Sequence, residues 1–134
     1  MSADRVKAMI QRYVDSNHGD LSMMADDVVF RTMATGEEVR GREGVAAMLH
    51  HIYHVAFDAK AETHAIIADE RNAVLEGTFV GRHIGEFAGV PATNKEIRVP
   101  LCVVYDVEND KITRGRVYFE VPAFLAQVGA MPSR

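Results

Sequence analysis

Three side chains near the end of the chain could act together in acid–base chemistry: Arg116, Tyr118 and Glu120. They fall on a predicted final strand, where alternate side chains share a face, so Val117 and Phe119 face the other way. If Arg116, Tyr118 and Glu120 line a pocket, the carboxyl suits proton transfer and the arginine suits binding of an enolate oxygen. The other possibility is a solvated outer face, and a one-residue slip would exchange the two faces.

Histidines offer a second chemistry. His83 could hold a substrate oxygen or relay a proton, or it could be a strand-end histidine bonded to the backbone. His50 and His54 share a face of a predicted helix, but the stretch HHIYH lacks the glutamate of the HExxH zinc motif, so we predict no metal site. Cys102, the only cysteine, lies between apolar residues and is expected to be a buried, unreactive thiol.

Composition restricts the class of protein. The chain has 134 residues, 48% of them hydrophobic and 25% charged, which is typical of one globular domain spanning residues 1–134. A net charge of −4 without a basic cluster argues against binding to nucleic acid or a membrane surface. The N-terminus has no apolar leader, and a lone cysteine fits a reducing compartment, so we expect a cytoplasmic protein.

The apolar spacing predicts helices first and strands later. One apolar stripe, which includes Val6, Ile10 and Tyr13, predicts a helix from Ala3 to His18. A turn at 108–111 between two β-branched and aromatic segments is typical of an antiparallel hairpin. The other predicted elements are a short helix (21–25), a strand (28–32), a turn (35–37), a helix (42–53), two strands (60–68 and 73–83), a short helix (123–128) and a loose tail (130–134). This order indicates an α+β fold, with a curved antiparallel sheet wrapped on the N-terminal helices around a cavity.

Several stretches carry a family resemblance: ADDVVF at 25–30, GREGV at 41–45, GRHIGEFAGVPAT at 81–93, DKI at 110–112, YFE at 118–120 and QVG at 127–129. Together they resemble the SnoaL-like polyketide cyclases, a branch of the nuclear transport factor 2-like superfamily. The resemblance spans residues 6–129. It is specific for the superfamily, moderately specific for this branch, and not specific for a substrate.

The resemblance implies a cone-shaped α+β barrel, commonly a homodimer, with a deep apolar pocket. Characterised cyclases of this kind close a ring by intramolecular aldol condensation without metal or cofactor, and a pocket aspartate serves as general acid/base. Glu120 stands at the position of that aspartate, and His83 matches a histidine common in the family. Arg116 stands where the family often has tryptophan, and Arg31 where it often has histidine.

The amino-terminal segment also resembles ketosteroid isomerase, in QRYV at 11–14, GDL at 19–21 and ADD at 25–27. Tyr13 falls where that enzyme keeps its oxyanion-binding tyrosine, although a buried tyrosine with a satisfied hydroxyl is the commoner case. The enzyme's general-base aspartate falls on Thr32, and its second acid falls on Cys102 or a neighbour. Neither side chain replaces a carboxylate base at neutral pH, so we expect the shared fold without isomerase activity by that mechanism.

Together these patterns predict cofactor-free acid–base catalysis on a small hydrophobic, carbonyl-bearing molecule, leading to cyclisation, isomerisation or dehydration. The alternative is a non-catalytic protein of the same fold that binds a small molecule or scaffolds a partner. We expect a homodimer that binds neither nucleic acid nor membrane. The predicted catalytic residues are Glu120 and His83, and the predicted substrate-binding residues are Arg116, Tyr118, Tyr13 and Arg31.

Overall fold

The structure, a computed structural model, describes residues 2–16 and 19–130. These residues form α1 (Ala3–Asp15), β1 (Met24–Thr32), β2 (Glu37–Arg40), α2 (Arg42–His50), β3 (Phe57–Ala68), β4 (Asn72–His83), β5 (Glu96–Glu108), β6 (Lys111–Phe119) and α3 (Val121–Gln127). A 3₁₀ turn, Leu21–Met23, precedes β1, and a π-helical segment, His51–Ala56, extends α2. Among the described residues, no helix is long and apolar enough to cross a membrane.

Most of the predicted helices and strands are present, with shifts at their ends. The first helix ends at Asp15, and the predicted end at His18 lies outside the described residues, as do residues 131–134 of the predicted tail. The predicted short helix is only a 3₁₀ turn, because β1 already begins at Met24. Strand β2 was not predicted, and the predicted last turn of α2 is π-helical.

The six strands form one curved, open sheet in the order β2-β1-β6-β5-β4-β3. The α+β class is therefore confirmed, but the sheet is mixed: β1 and β6 are parallel, whereas the other neighbours are antiparallel. The antiparallel pairing expected from the sequence holds for four of the five neighbouring pairs, and the fifth is parallel because β1 pairs with the distant β6 as well as with β2. Helix α1 packs against β3 and β4, α2 against β1 and α3 against β5.

The predicted hairpin joins β5 to β6 through Asn109 and Asp110, whose φ angles are 52° and 63°. Two consecutive left-handed residues are what a two-residue hairpin turn requires, and Asn and Asp tolerate that conformation. The turn is tied to α1 by Arg5, which donates from Nε and Nη2 to the two carboxylate oxygens of Asp110 at 2.8 and 2.6 Å.

A bulge in β6 decides which side chains face the core. Val107 pairs with Ile112 and Asp106 pairs with Arg114, so Thr113 is an extra residue without a partner on β5. Such an insertion moves all later side chains to the opposite face. Beyond the bulge, Gly115, Val117 and Phe119 therefore face the core, and the ring of Phe30 occupies the space beside Gly115, where a Cβ would lie 2.8 Å from it.

Candidate functional site

Aromatic side chains fill the concave side of the sheet in two groups. The phenylalanine cluster has ring centroids 5.0–5.7 Å apart and consists of Phe57, Phe79, Phe87, Phe119 and Phe124. The tyrosine group consists of Tyr13, Tyr53 and Tyr105, and a contact of 5.3 Å between Tyr53 and Phe79 joins the two groups.

His83 is the polar side chain of the phenylalanine cluster. It is the last residue of β4 and follows Phe79 and Gly81 on the same face, so the strand alternation turns it inward. Its side chain is fully buried, and its ring centroid lies 5.3 Å from that of Phe57 and 5.0 Å from that of Phe124. A buried polar side chain among apolar rings needs a hydrogen-bonding partner, or it destabilises the fold.

One ring nitrogen of His83 has such a partner and the other does not. Nδ1 lies 3.0 Å from the hydroxyl of Thr93, which also accepts from the Lys95 N–H at 3.3 Å. Nε2 is buried and has no hydrogen-bond partner in the part of the chain that the structure describes. The free nitrogen is thus a polar atom within an apolar interior, available to a ligand that reaches it.

The loop between β4 and β5 covers this region. Phe87 and Val90 form a tight turn with N···O distances of 3.0 and 2.8 Å, and the residues between them, Ala88 and Gly89, have φ angles of 51° and 79°. The turn places the half-buried Phe87 ring against Phe57, Phe119 and Phe124. Phe87 is therefore the member of the cluster that a loop movement would displace most directly.

The tyrosine group supplies neutral hydroxyls. Burial raises the pKa of Tyr13 well above its usual value, and the neighbouring Tyr105 and Tyr53 raise it further. Burial likewise raises the pKa of Tyr53 and of Tyr105. These hydroxyls remain protonated at neutral pH and can act as hydrogen-bond donors, which is compatible with the oxyanion-binding role that the resemblance implies for Tyr13.

Glu120 is exposed, in contrast to the buried carboxyl that an apolar pocket would provide. It immediately precedes α3, and its carbonyl accepts from the N–H of Phe124 at 3.2 Å. Glu120 thus lies one helical turn from the ring that packs on His83, at the edge of the phenylalanine cluster. Its role as a base stays a prediction.

The structure does not place Arg116, Tyr118 and Arg31 with His83. Arg116 and Tyr118 lie on the outer face of the sheet because the bulge in β6 exchanges the faces, and Arg31 pairs with Arg116 across β1 and β6. Arg116 donates to Asp106 at 3.2 Å, Arg31 is exposed, and Tyr118 is 45% exposed. Of the two faces that the sequence left open for Arg116 and Tyr118, the structure shows the outer one. Binding of substrate by these three residues stays a prediction.

Two cavities lie away from His83. One of about 170 Å³ is lined by Gly19, Leu21, Ala46, Leu49, His50, Tyr53 and His54. The other, of about 420 Å³, is lined mainly by charged residues, namely Asp27, Arg40, Asp106, Glu108 and Arg114, together with Val29 and Thr113. Within residues 2–16 and 19–130, no group of three or more His, Cys, Asp or Glu side chains is placed to hold a metal ion. The deep apolar pocket that the resemblance implies stays a prediction.

The sequence profile of the SnoaL-like polyketide cyclases matches residues 7–128. Because this match covers nearly the whole chain, the protein belongs to the SnoaL-like polyketide cyclase family. Comparison with curated proteins gives no significant sequence match.

Solved structures share the fold at low sequence identity. A Jannaschia sp. CCS1 protein, a proposed SnoaL-like polyketide cyclase, is 17% identical with a TM-score of 0.82 over 97% of this chain and 95% of its own. AclR from Streptomyces galilaeus, a proposed hydroxylase, is 24% identical with a TM-score of 0.76 over 97% of this chain and 87% of its own. A Catenulispora acidiphila protein with a ketosteroid isomerase-like fold is 16% identical with a TM-score of 0.76 over 92% of this chain and 93% of its own. At these identities the likeness shows the fold alone.

His83 was predicted from the sequence, but the residues that surround it were not. Thr93 lies ten residues further along and reaches His83 only because the loop returns to β5, so no local pattern connects the two. Phe57 was missed because β3 begins earlier than predicted. Phe57 and His83 lie directly opposite each other in the antiparallel pair of β3 and β4, so the register of these two strands is the signal that could have identified Phe57.

Proposed function

We propose that this protein catalyses cofactor-free proton transfer next to a carbonyl group on a small, largely apolar molecule. The observation that carries the proposal is His83: a fully buried imidazole with one ring nitrogen held by Thr93 and the other without a hydrogen-bond partner among the described residues. Membership of a family of polyketide cyclases supports chemistry of this kind.

The free nitrogen indicates which part of a substrate would bind there. Leaving a buried polar group unpaired costs about 1–3 kcal/mol. A carbonyl or enolate oxygen, or the acidic C–H beside it, would give Nε2 a partner and recover part of that cost. Hydrogen bonds to an oxygen that gains negative charge during a reaction are worth more in such a water-poor interior than in water.

The rings around His83 indicate the rest of the substrate. Phenylalanine rings contact flat apolar molecules in edge-to-face or offset arrangements and offer no hydrogen bonds. Such a molecule would enter by displacing Phe87, which packs on Phe57, Phe119 and Phe124 from a surface loop. Glu120, at the edge of the cluster, would take up the proton that leaves the carbon or return it.

Exchange of hydrogen for deuterium tests proton transfer without knowledge of the natural product. β-Tetralone, an apolar ketone with acidic hydrogens beside its carbonyl, is incubated with the protein in D₂O, and its exchange is followed by NMR against a protein-free control. We expect exchange above the background in the wild type, a loss of that excess in His83→Phe, and a large reduction in Glu120→Gln. Phenylalanine at position 83 suits the surrounding rings, so the fold should persist, and circular dichroism verifies this.

A matched control variant shows whether a loss of exchange is specific to His83. Ile67, which is 67% exposed on β3, makes no contribution to the phenylalanine cluster, so Ile67→Ala should exchange at the wild-type rate. If wild-type protein and His83→Phe exchange at the same rate, the proposal is wrong.

The second candidate is a non-catalytic protein that binds a small molecule in the same place. The exposure of Glu120 favours it, because a carboxylate in water is not poised as a buried base. This alternative predicts that β-tetralone shifts the NMR signals of the phenylalanine cluster while its own hydrogens exchange only at the background rate.

A further inference from the structure

We infer that Thr93 is a positioning residue that selects the Nε2–H tautomer of the His83 imidazole, so that the site presents an N–H donor to a substrate oxygen. This inference rests on the proposed function and assigns roles within it. His83 would stabilise the enolate oxygen, and the proton would be taken by a different group.

The assignment follows from the hydrogen atoms available around Thr93. A hydroxyl has one hydrogen to donate and two lone pairs, and a neutral imidazole has one N–H and one acceptor nitrogen. The Thr93 oxygen already accepts from the Lys95 N–H at 3.3 Å. Its own hydrogen has one acceptor within reach in the described residues, namely His83 Nδ1 at 3.0 Å.

With the Thr93 hydroxyl donating, Nδ1 is the acceptor and the imidazole proton must lie on Nε2. The reverse arrangement, with Nδ1–H donating to Thr93, would make the hydroxyl oxygen accept twice and leave its hydrogen without a protein acceptor among the described residues. The first arrangement satisfies every group except Nε2–H. The atom left over is thus a donor, which a substrate oxygen would satisfy.

The backbone holds this arrangement in place. The His83 N–H donates to the carbonyl of Lys95 at 2.9 Å, and the Asn94 N–H donates to the carbonyl of His83 at 2.8 Å. These bonds place Thr93 beside the imidazole at the point where the loop returns to β5. Both the ring orientation and its tautomer are therefore set by the three residues Thr93, Asn94 and Lys95.

This tautomer assigns hydrogen-bond donation and proton abstraction to two different side chains. A neutral imidazole can polarise a carbonyl through its N–H, as neutral histidines do in other enzymes. The bond from carbon to hydrogen breaks, its electron pair forms the enolate, and the proton goes to a base while Nε2–H donates a hydrogen bond to the enolate oxygen without losing its proton. Of the predicted catalytic residues this leaves Glu120, exposed one helical turn from Phe124, as the base.

Nitrogen NMR tests the tautomer on the free protein. In ¹⁵N-labelled protein at alkaline pH, long-range ¹H–¹⁵N correlations distinguish protonated from unprotonated ring nitrogens, and His83→Phe identifies the signals of His83. We expect Nε2 to be protonated and Nδ1 to be unprotonated with the shift of a nitrogen that accepts a hydrogen bond. A protonated Nδ1 with an unprotonated Nε2 would overturn the inference and make His83 the base.

Two variants at position 93 test the positioning role. Thr93→Val keeps the shape but removes the hydroxyl, so the Nδ1 signal should move to that of a free acceptor nitrogen and β-tetralone exchange should slow about tenfold. Thr93→Ser keeps the hydroxyl and should restore both the signal and the exchange rate. An unchanged Nδ1 signal in Thr93→Val contradicts the inference.

Different results would contradict the proposed function and the inferred tautomer. If the wild-type protein exchanges no β-tetralone above background, the proposed function fails even when the tautomer is as inferred. If exchange depends on His83 but Nδ1 carries the proton, the proposed function stands, but the assignment of His83 as hydrogen-bond donor and of Glu120 as base is wrong.

Discussion

The three buried tyrosines predict a steep loss of stability in alkaline solution. Burial raises the pKa of Tyr13, Tyr53 and Tyr105 in the folded protein, whereas in the unfolded chain tyrosine ionises near pH ~10. Below pH ~10 both states hold these protons, so the stabilising contribution is fully present. Above it the unfolded chain releases protons that the folded protein retains, so the free energy of unfolding falls as the pH rises.

The size of the effect follows from the number of tyrosines. A group that is fully ionised in the unfolded state and protonated in the folded state lowers the free energy of unfolding by about 1.36 kcal/mol per pH unit. At pH ~10 the unfolded tyrosines are only half ionised, so three such groups together remove about 3 kcal/mol over the first unit above pH ~10 and about 4 kcal/mol over each further unit. Single domains are typically stable by about 5–15 kcal/mol, so this loss is a large part of the total.

Urea unfolding followed by circular dichroism, in steps from pH ~8 to pH ~11, measures the effect. Tyr105→Phe removes one of the three hydroxyls and should reduce the slope by about one third. Tyr118→Phe alters an exposed tyrosine, keeps all three buried hydroxyls and should keep the slope. Burial also raises the pKa of Cys102, which acts in the same direction, and Cys102→Ser separates that contribution.

Absorbance of tyrosinate provides the decisive reading. The buried tyrosines should ionise together with unfolding, in one cooperative transition. If the folded protein ionises all its tyrosines near pH ~10 while its far-UV spectrum and urea midpoint stay constant, the hydroxyls are not held in a dry interior and the predicted loss of stability is wrong.

Three further predictions concern the framework. Gly77→Ala should lower the free energy of unfolding by at least ~2 kcal/mol in urea titrations, since the new Cβ would overlap the carbonyl oxygen of Glu62 on the neighbouring strand. A double-mutant cycle on the partly exposed pair Arg116 and Asp106 should give a coupling below ~1 kcal/mol that weakens with salt. Phe87→Ala should cost ~2 kcal/mol, because this ring is only half-buried, yet raise the deuterium exchange rate of bulky ketones more than that of small ones.

Much of the fold was predictable because local chemistry determines it. The left-handed turn at Asn109 and Asp110 follows from residue types that tolerate that conformation, and the alternation along β5 shows which of its residues are buried. The parallel pairing of β1 with β6 was not predictable in this way, because it joins residues at least 85 positions apart with no local signal.

The face of the last strand shows why the site was harder to predict than the fold. The sequence around Arg116 carries apolar or aromatic residues in both alternating rows, so either row fits a core. Counting in steps of two from the buried Ile112 would turn Arg116 inward, but the extra residue Thr113 reverses the alternation. One inserted residue thus decides between the two faces that the sequence left open.

The parallel pairing of β1 with β6 also governs the order in which the molecule can assemble. Among the described strands, β1 and β2 join the rest of the sheet only through β6. These two strands therefore cannot pair with the sheet until β6, the last strand, is available. Closing so long a loop before any pairing is gained makes such contacts slow to form. We therefore expect β3, β4 and β5 to fold first as a meander on which α1 can pack, and a chain that stops before β6 to leave β1 and β2 unpaired with the rest of the sheet and prone to association.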